Sequence, residues 1–197
     1  MGLEQTLELT YRGESLGDSL DDFGTLRPSN DALDDREELW GRMEEDGYLY
    51  LPGLLHKNEV LAARQEVMDR MMDAGVLDPK YPAIEAIVRP AAEIDPRATG
   101  SFMPLLARNN PPLDRVIHEG PMIAFYEFFL GGPVRYFDYT WFRVKRPGRG
   151  TPTTPHCDIV YMCRGTKQLF TAWVPYGDVP YEMGGLMLLE GSHKLED

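Results

Sequence analysis

The chain has 197 residues, 43% of them hydrophobic and 11% aromatic, which is enough apolar surface to bury the core of one soluble domain. Its net charge of -12 excludes an electrostatic nucleic-acid binder, and no apolar run approaches the roughly 20 residues that a membrane-spanning helix needs. The charge is uneven: residues 1–47 hold fourteen acids against four arginines, so ten of the twelve excess negative charges lie there and the remaining body is close to neutral.

Residues 1–30, with clusters such as Gly17-Asp18-Ser19-Leu20-Asp21-Asp22, read as an acidic leader, either mobile or draped on the surface, and residues 31–197 as one domain. The start lacks the basic and apolar regions of a secretory signal, so a cytoplasmic location is expected. Leu33, Leu39, Trp40 and Met43 predict a helix over residues 31–45, which Gly47 ends by accepting a left-handed conformation. A short strand at 48–51 follows. A second helix is predicted over 59–74, capped by Asn58, with Val60, Leu61, Val67, Met68 and Met71 on its apolar face and Gly75 beyond its end. The methionines serve as core filler. Residues 76–114 contain seven prolines and are expected to form an irregular but ordered excursion near a pocket mouth.

Residues 122–130 are apolar on almost every side and predict a buried helix closed by Gly131-Gly132. Strands are then expected at 134–144, rich in Tyr136, Phe137, Tyr139, Trp141 and Phe142, and at 156–162, 167–174 and 185–190. Helices followed by strands describe an α+β chain. Within the second strand, Thr154-Pro155-His156-Cys157-Asp158 places an imidazole and a carboxylate two residues apart, so on extended backbone they share a face. One His and one monodentate carboxylate are two parts of the facial triad that suits ferrous iron. Cys157 then points the other way, and it and Cys163 are expected to be free, buried thiols in a reducing compartment.

The residues Gly184-Gly185-Leu186-Met187-Leu188-Leu189-Glu190-Gly191-Ser192-His193-Lys194 form a strand between glycine turns that runs into a Gly-Ser-His-Lys corner. With His156-Cys157-Asp158, the opening run Glu45-Asp46-Gly47-Tyr48-Leu49-Tyr50-Leu51-Pro52-Gly53-Leu54-Leu55 and the stretch Arg143-Val144-Lys145-Arg146-Pro147-Gly148, the chain resembles the phytanoyl-CoA dioxygenase family from residue 45 to 194. Glu190 departs from the pattern, standing where that family usually has proline.

The resemblance implies a double-stranded β-helix (jelly roll, cupin-like) with the N-terminal helices packed on the sheet, incomplete at its C-terminus in the residues given. It implies an enzyme that uses Fe(II), 2-oxoglutarate as co-substrate and dioxygen to hydroxylate an unactivated C-H bond of a small-molecule or acyl-CoA-type substrate. The metal ligands carried over are His156 and Asp158. Trp173 matches a tryptophan that several members place beside the co-substrate, although packing in a barrel wall explains an indole equally well. The family's second metal His and its 2-oxoglutarate Arg lie beyond the corner and have no counterpart in residues 1–197, so the chain reads as a front portion.

His193 belongs to the structural corner rather than to the metal set, and its side chain is expected to bond local backbone. His56 and His118 read as surface or capping histidines. Arg143, Lys145, Arg146 and Arg149, with Arg164 and Lys167, make a basic cluster around the metal segment that serves either to attract an anion or as a solvated loop. The alternatives are a non-catalytic jelly-roll binding protein that has lost the site, a cupin-like metalloprotein, disfavoured because His-x-His is absent, and an obligate oligomer whose partner supplies the missing half. Members of the family act on acyl-CoAs, amino acids, osmolytes and natural products, and Asp158 fills the position that halogenating members leave vacant.

Overall fold

The computed structural model describes residues 10–11, 14–15, 23–95, 98, 104–144, 153–158, 162, 165–166, 168–180 and 183–195. A two-residue hairpin, β1 (Thr10–Tyr11) against β2 (Glu14–Ser15), precedes the helices. The part of the leader next to the body is attached to it. Pro28 bridges Tyr50, the Ser29 amide donates to the Tyr50 carbonyl at 2.8 Å, and Asn30 donates to the Pro52 carbonyl at 2.9 Å.

A single 3-10 turn at Asn30–Ala32 leads to α1 (Arg36–Asp46). The sequence placed the helix start at residue 31, but Asp35 decides it: its carboxylate accepts from the Glu38 amide at 3.0 Å and terminates the preceding turn. The other end falls where expected, with Gly47 at φ 81°.

α2 (Lys57–Asp73) starts earlier than predicted. His56, not Asn58, occupies its cap position, and the His56 imidazole lies 3.2 Å from Glu59 instead of capping an amide. Its buried stripe is Ala63, Val67 and Met71, at a spacing of four, whereas Leu61 is 43% exposed. Helical rotation puts residue 61 off the 63-67-71 face, and Ala63 was missed because its side chain is small.

Residues 76–95 are irregular but ordered, as expected. Val76, Leu77 and Ile94 are buried, and Leu77 bridges Val88. The same expectation is overturned further along. α3 (Pro104–Ala107) and α4 (Pro111–His118) occupy ground assigned to breakers. Pro111 and Pro112 sit at the first positions of α4, where no intrahelical amide is needed, and Asn110 caps the helix. α5 (Gly120–Leu130) follows and ends at Gly131. α1 holds that end: the Arg36 Nε and Trp40 Nε1 both donate to the Phe129 carbonyl, at 3.0 and 2.8 Å.

Among the described residues, 134–144, 168–174 and 185–190 form no hydrogen-bonded ladder. Some of their side chains nevertheless pack on the helices. Phe142 and Val144 pack against the cluster of Val67, Met71, Val76, Leu77, Ile94 and Leu106, and Phe142 also packs against the Ala63-Ala107-Leu113-Val116 cluster. Tyr136 stacks on His118 of α4 with centroids 3.9 Å apart. Phe170 joins Trp40 and Phe129, while Val174 and Tyr176 join the Leu113 cluster. Tyr139, Trp141 and Trp173 are exposed, at 47%, 36% and 52%, and the Phe142 amide donates to the Thr140 carbonyl at 3.1 Å, which turns the backbone at Trp141.

Arg64 of α2 fixes the second segment, donating to the Tyr176 carbonyl at 3.2 Å and to the Ile84 carbonyl at 3.2 Å. Among the described residues, no helix is long and apolar enough to cross a membrane.

Candidate metal site and the corner that supports the chain

His156 and Asp158 face each other, although their backbone is not the expected strand: it bends at Pro155 and enters a 3-10 turn at Asp158. His156 Nε2 stands 3.1 Å from Asp158 Oδ1, and the two side chains are 26% and 30% exposed. Behind the ring, Nδ1 lies 2.6 Å from the Thr154 carbonyl oxygen. A carbonyl only accepts, so Nδ1 carries the hydrogen and donates it. Nε2 is then the nitrogen offered to Asp158.

Two lone-pair atoms tolerate this approach only when a cation joins them. A proton on Nε2 makes the contact a salt bridge. A metal ion suits it equally: two neighbouring ligands at about 2.1 Å from an octahedral centre stand about 3.0 Å apart. The donor set, its separation and the Nδ1–H bond that fixes the ring therefore fit a divalent metal. Among the described residues, no group of three His, Cys, Asp or Glu side chains completes such a site.

The segment is tied to the body from its N-terminal side. Arg143 Nη1 donates to Thr153 Oγ1 at 2.8 Å, and the Arg143 guanidinium lies 5.7 Å from the centre of the Trp141 ring. Reading the sequence placed Arg143 in a basic cluster but gave Thr153 no role, because a contact between residues ten apart leaves no local pattern. Lys145, Arg146, Arg149, Arg164 and Lys167 lie outside the described residues, as do Cys163 and residues 159–161 of the expected metal strand. Cys157 is a free thiol but an exposed one, not buried as expected. Trp173 is 52% exposed.

The Gly-Ser-His-Lys corner is built differently from expectation. His193 bonds distant rather than local backbone: its Nε2 meets the Glu44 carbonyl at 2.9 Å, and Lys194 Nζ donates to the Glu45 carbonyl at 3.0 Å. Both carbonyls belong to the last turn of α1, where helical acceptors have no partner of their own and cations are favoured. Gly47 makes the approach possible, since a Cβ there would come within 2.9 Å of the His193 Cε1 and closer still to Nδ1.

Glu190 completes a second set of contacts. It accepts from the Tyr48 hydroxyl at 3.0 Å and pairs with Arg27 at 3.0 Å, while Arg27 also binds Asp46. The carboxylate that replaces the usual proline thus acquires two partners from the start of the chain. His56 is a solvent-exposed partner of Glu59, whereas the stack on Tyr136 leaves the His118 side chain only 19% exposed.

The family model for "Phytanoyl-CoA dioxygenase (PhyH)" matches residues 43–197, more than three quarters of the sequence. The chain belongs to the phytanoyl-CoA dioxygenase family. Among its curated relatives are two proteins named 1-deoxypentalenic acid 11-beta-hydroxylase. The one from Streptomyces exfoliatus is 27% identical over 182 residues and the one from Streptomyces arenae 26% identical over 182 residues. In each case the alignment takes in 90% of this chain and 60% of the relative, so the chain spans about three fifths of the length of these proteins. No solved structure gives a significant match. The phytanoyl-CoA dioxygenase match takes in the His156-Asp158 pair and the 184–194 corner, and it begins after Arg27.

Proposed function

We propose that this chain carries the His-x-Asp part of the centre of an iron(II)- and 2-oxoglutarate-dependent dioxygenase that hydroxylates a C-H bond of a small-molecule substrate. The observation that carries the reading is the pairing of His156 Nε2 with Asp158 Oδ1 at 3.1 Å, with the ring held from behind by the Thr154 carbonyl. Membership of the phytanoyl-CoA dioxygenase family and two hydroxylase relatives support it. The relatives' names concern an acid, which favours a small organic acid within the wider class of small-molecule and acyl-CoA-type substrates.

A double-stranded β-helix is the fold that goes with this reading. Its support is the family match, together with the packing of Phe142, Val144, Val174 and Tyr176 from two non-helical segments against the helix clusters. When bound, iron and 2-oxoglutarate activate dioxygen for C-H oxidation, the co-substrate leaving as succinate and carbon dioxide. The chain's own work is to hold and orient. His156 and Asp158 supply two neighbouring ligands, Thr154 fixes which imidazole nitrogen is presented, and Trp173 would wall the co-substrate's side. The third ligand and the co-substrate's arginine belong, on this reading, to a part of the protein outside the residues described.

The deciding experiment titrates Fe(II) anaerobically into the full-length protein and its His156→Ala and Asp158→Ala variants, then measures succinate formed from 2-oxoglutarate. Loss of metal binding and of succinate in both variants is expected. Retention of both properties in both variants would defeat the assignment, and no binding by the parent protein would favour a non-catalytic binding role.

A further inference from the structure

We infer that Arg143 is a positioning residue for the metal-binding imidazole, acting through Thr153; the inference rests on the metal reading of His156 and Asp158. The path is continuous. Phe142 is anchored among the helix side chains, and its neighbours Trp141 and Arg143 meet each other in the more exposed layer beside it. There the Trp141 ring lies 5.7 Å from the guanidinium, which limits its rotamers. From that fixed base Nη1 donates to Thr153 Oγ1 at 2.8 Å.

The next residue supplies the carbonyl to which His156 Nδ1–H donates at 2.6 Å. Pro155 biases Thr154 toward extended backbone, so the direction of that carbonyl follows from where Thr153 is held. Turning the imidazole over would remove Nδ1 from the carbonyl and Nε2 from Asp158 together. A bond that selects the ring orientation is worth about 10- to 100-fold in metal affinity at comparable sites. Arg143 and Thr153 are both exposed, so neither is placed to carry the core, and their substitution leaves the folded body intact.

The test is Co(II) titration of the full-length protein, followed by the visible ligand-field bands, with Arg143→Ala, Thr153→Val, Thr153→Ser and the double variant Arg143→Ala/Thr153→Val. Arg143→Ala and Thr153→Val are each expected to weaken Co(II) binding about tenfold and to shift the bands. Thr153→Ser should restore both, and the double variant should be no weaker than either single one, because the two groups act in series. Thermal unfolding of the metal-free proteins should stay within a degree or so of the parent.

Parent-like affinity in Arg143→Ala and Thr153→Val, while His156→Ala binds nothing, overturns the positioning role and leaves the metal site standing. Additive losses in the double variant overturn it too. Co(II) binding that His156→Ala does not alter removes the metal reading and this inference with it.

Discussion

Gly47→Ala tests the junction between α1 and the corner, because two separable costs meet at one atom. The residue has φ 81°, in the left-handed region, where a Cβ costs about 1–2 kcal/mol. That Cβ would also lie within 2.9 Å of the His193 Cε1 and closer to Nδ1, so the ring must move. Moving it breaks the 2.9 Å contact with the Glu44 carbonyl, worth about 0.5–1.5 kcal/mol. The single substitution should therefore cost about 1.5–3.5 kcal/mol. In a His193→Ala background only the backbone part remains, and the cost should fall by about 1 kcal/mol. Urea unfolding followed by tryptophan fluorescence of the four proteins in the cycle measures both numbers. An equal loss in the two backgrounds, or a total loss below about 0.5 kcal/mol, would refute the packing argument.

Two further substitutions probe the helix layer. Burial, reinforced by the Asp114 carboxylate, pushes the Tyr176 phenol above its usual range, and its hydroxyl is buried with no partner among the described residues. A pKa raised on folding means that stability is fully present below the unfolded value, about pH 10, and declines as the pH rises through it. Tyr176→Phe should therefore be neutral or stabilising at pH 7 and should flatten the alkaline decline, a result that urea midpoints between pH 7 and 11 would check; a steeper decline would contradict it. Asn110 is fully buried, accepts from the Leu113 amide at 3.1 Å and donates to the Leu106 carbonyl at 3.0 Å. Asn110→Ala strips the cap of α4 and leaves the buried Leu113 amide unpaired, while the Leu106 carbonyl keeps its bond from Arg70 at 3.3 Å, so a loss of about 1–2 kcal/mol is expected in the same assay, and less than about 0.5 kcal/mol would argue against this cap.

What the sequence revealed and what it hid follow from the range of each interaction. The ends of α1, α2 and α5 were legible in Gly47, Gly75 and Gly131, because left-handed backbone after a last turn is a property of one residue. The meeting of His156 and Asp158 was expected from extended backbone, but the structure brings them together on a segment that bends at Pro155 and turns at Asp158. The Pro111-Pro112 pair misled, because proline's meaning depends on its position in a helix and only Asn110 just before it marks a start. Contacts between segments left no local trace. Nothing in the run 184–194 says that His193 will bond the Glu44 carbonyl, nor that Glu190 will find Tyr48 and Arg27. The aromatic run 134–144 suggested a strand but not its neighbours, since pairing is a decision made by other strands, and among the described residues it has no ladder.

Arg27 has a bearing on where this domain physically starts. The recognisable family pattern begins at residue 43, yet the guanidinium of residue 27 clamps Asp46 and Glu190 together, and Ser29 is hydrogen-bonded to the Tyr50 carbonyl. An expression boundary drawn at the edge of the family match would leave Glu190 and Asp46 as neighbouring anions without their shared counter-ion. It would also expose the backbone edge at Tyr50. The unit to clone begins ahead of Arg27, and the sixteen positions from there to the start of the family match are a working part of the structure.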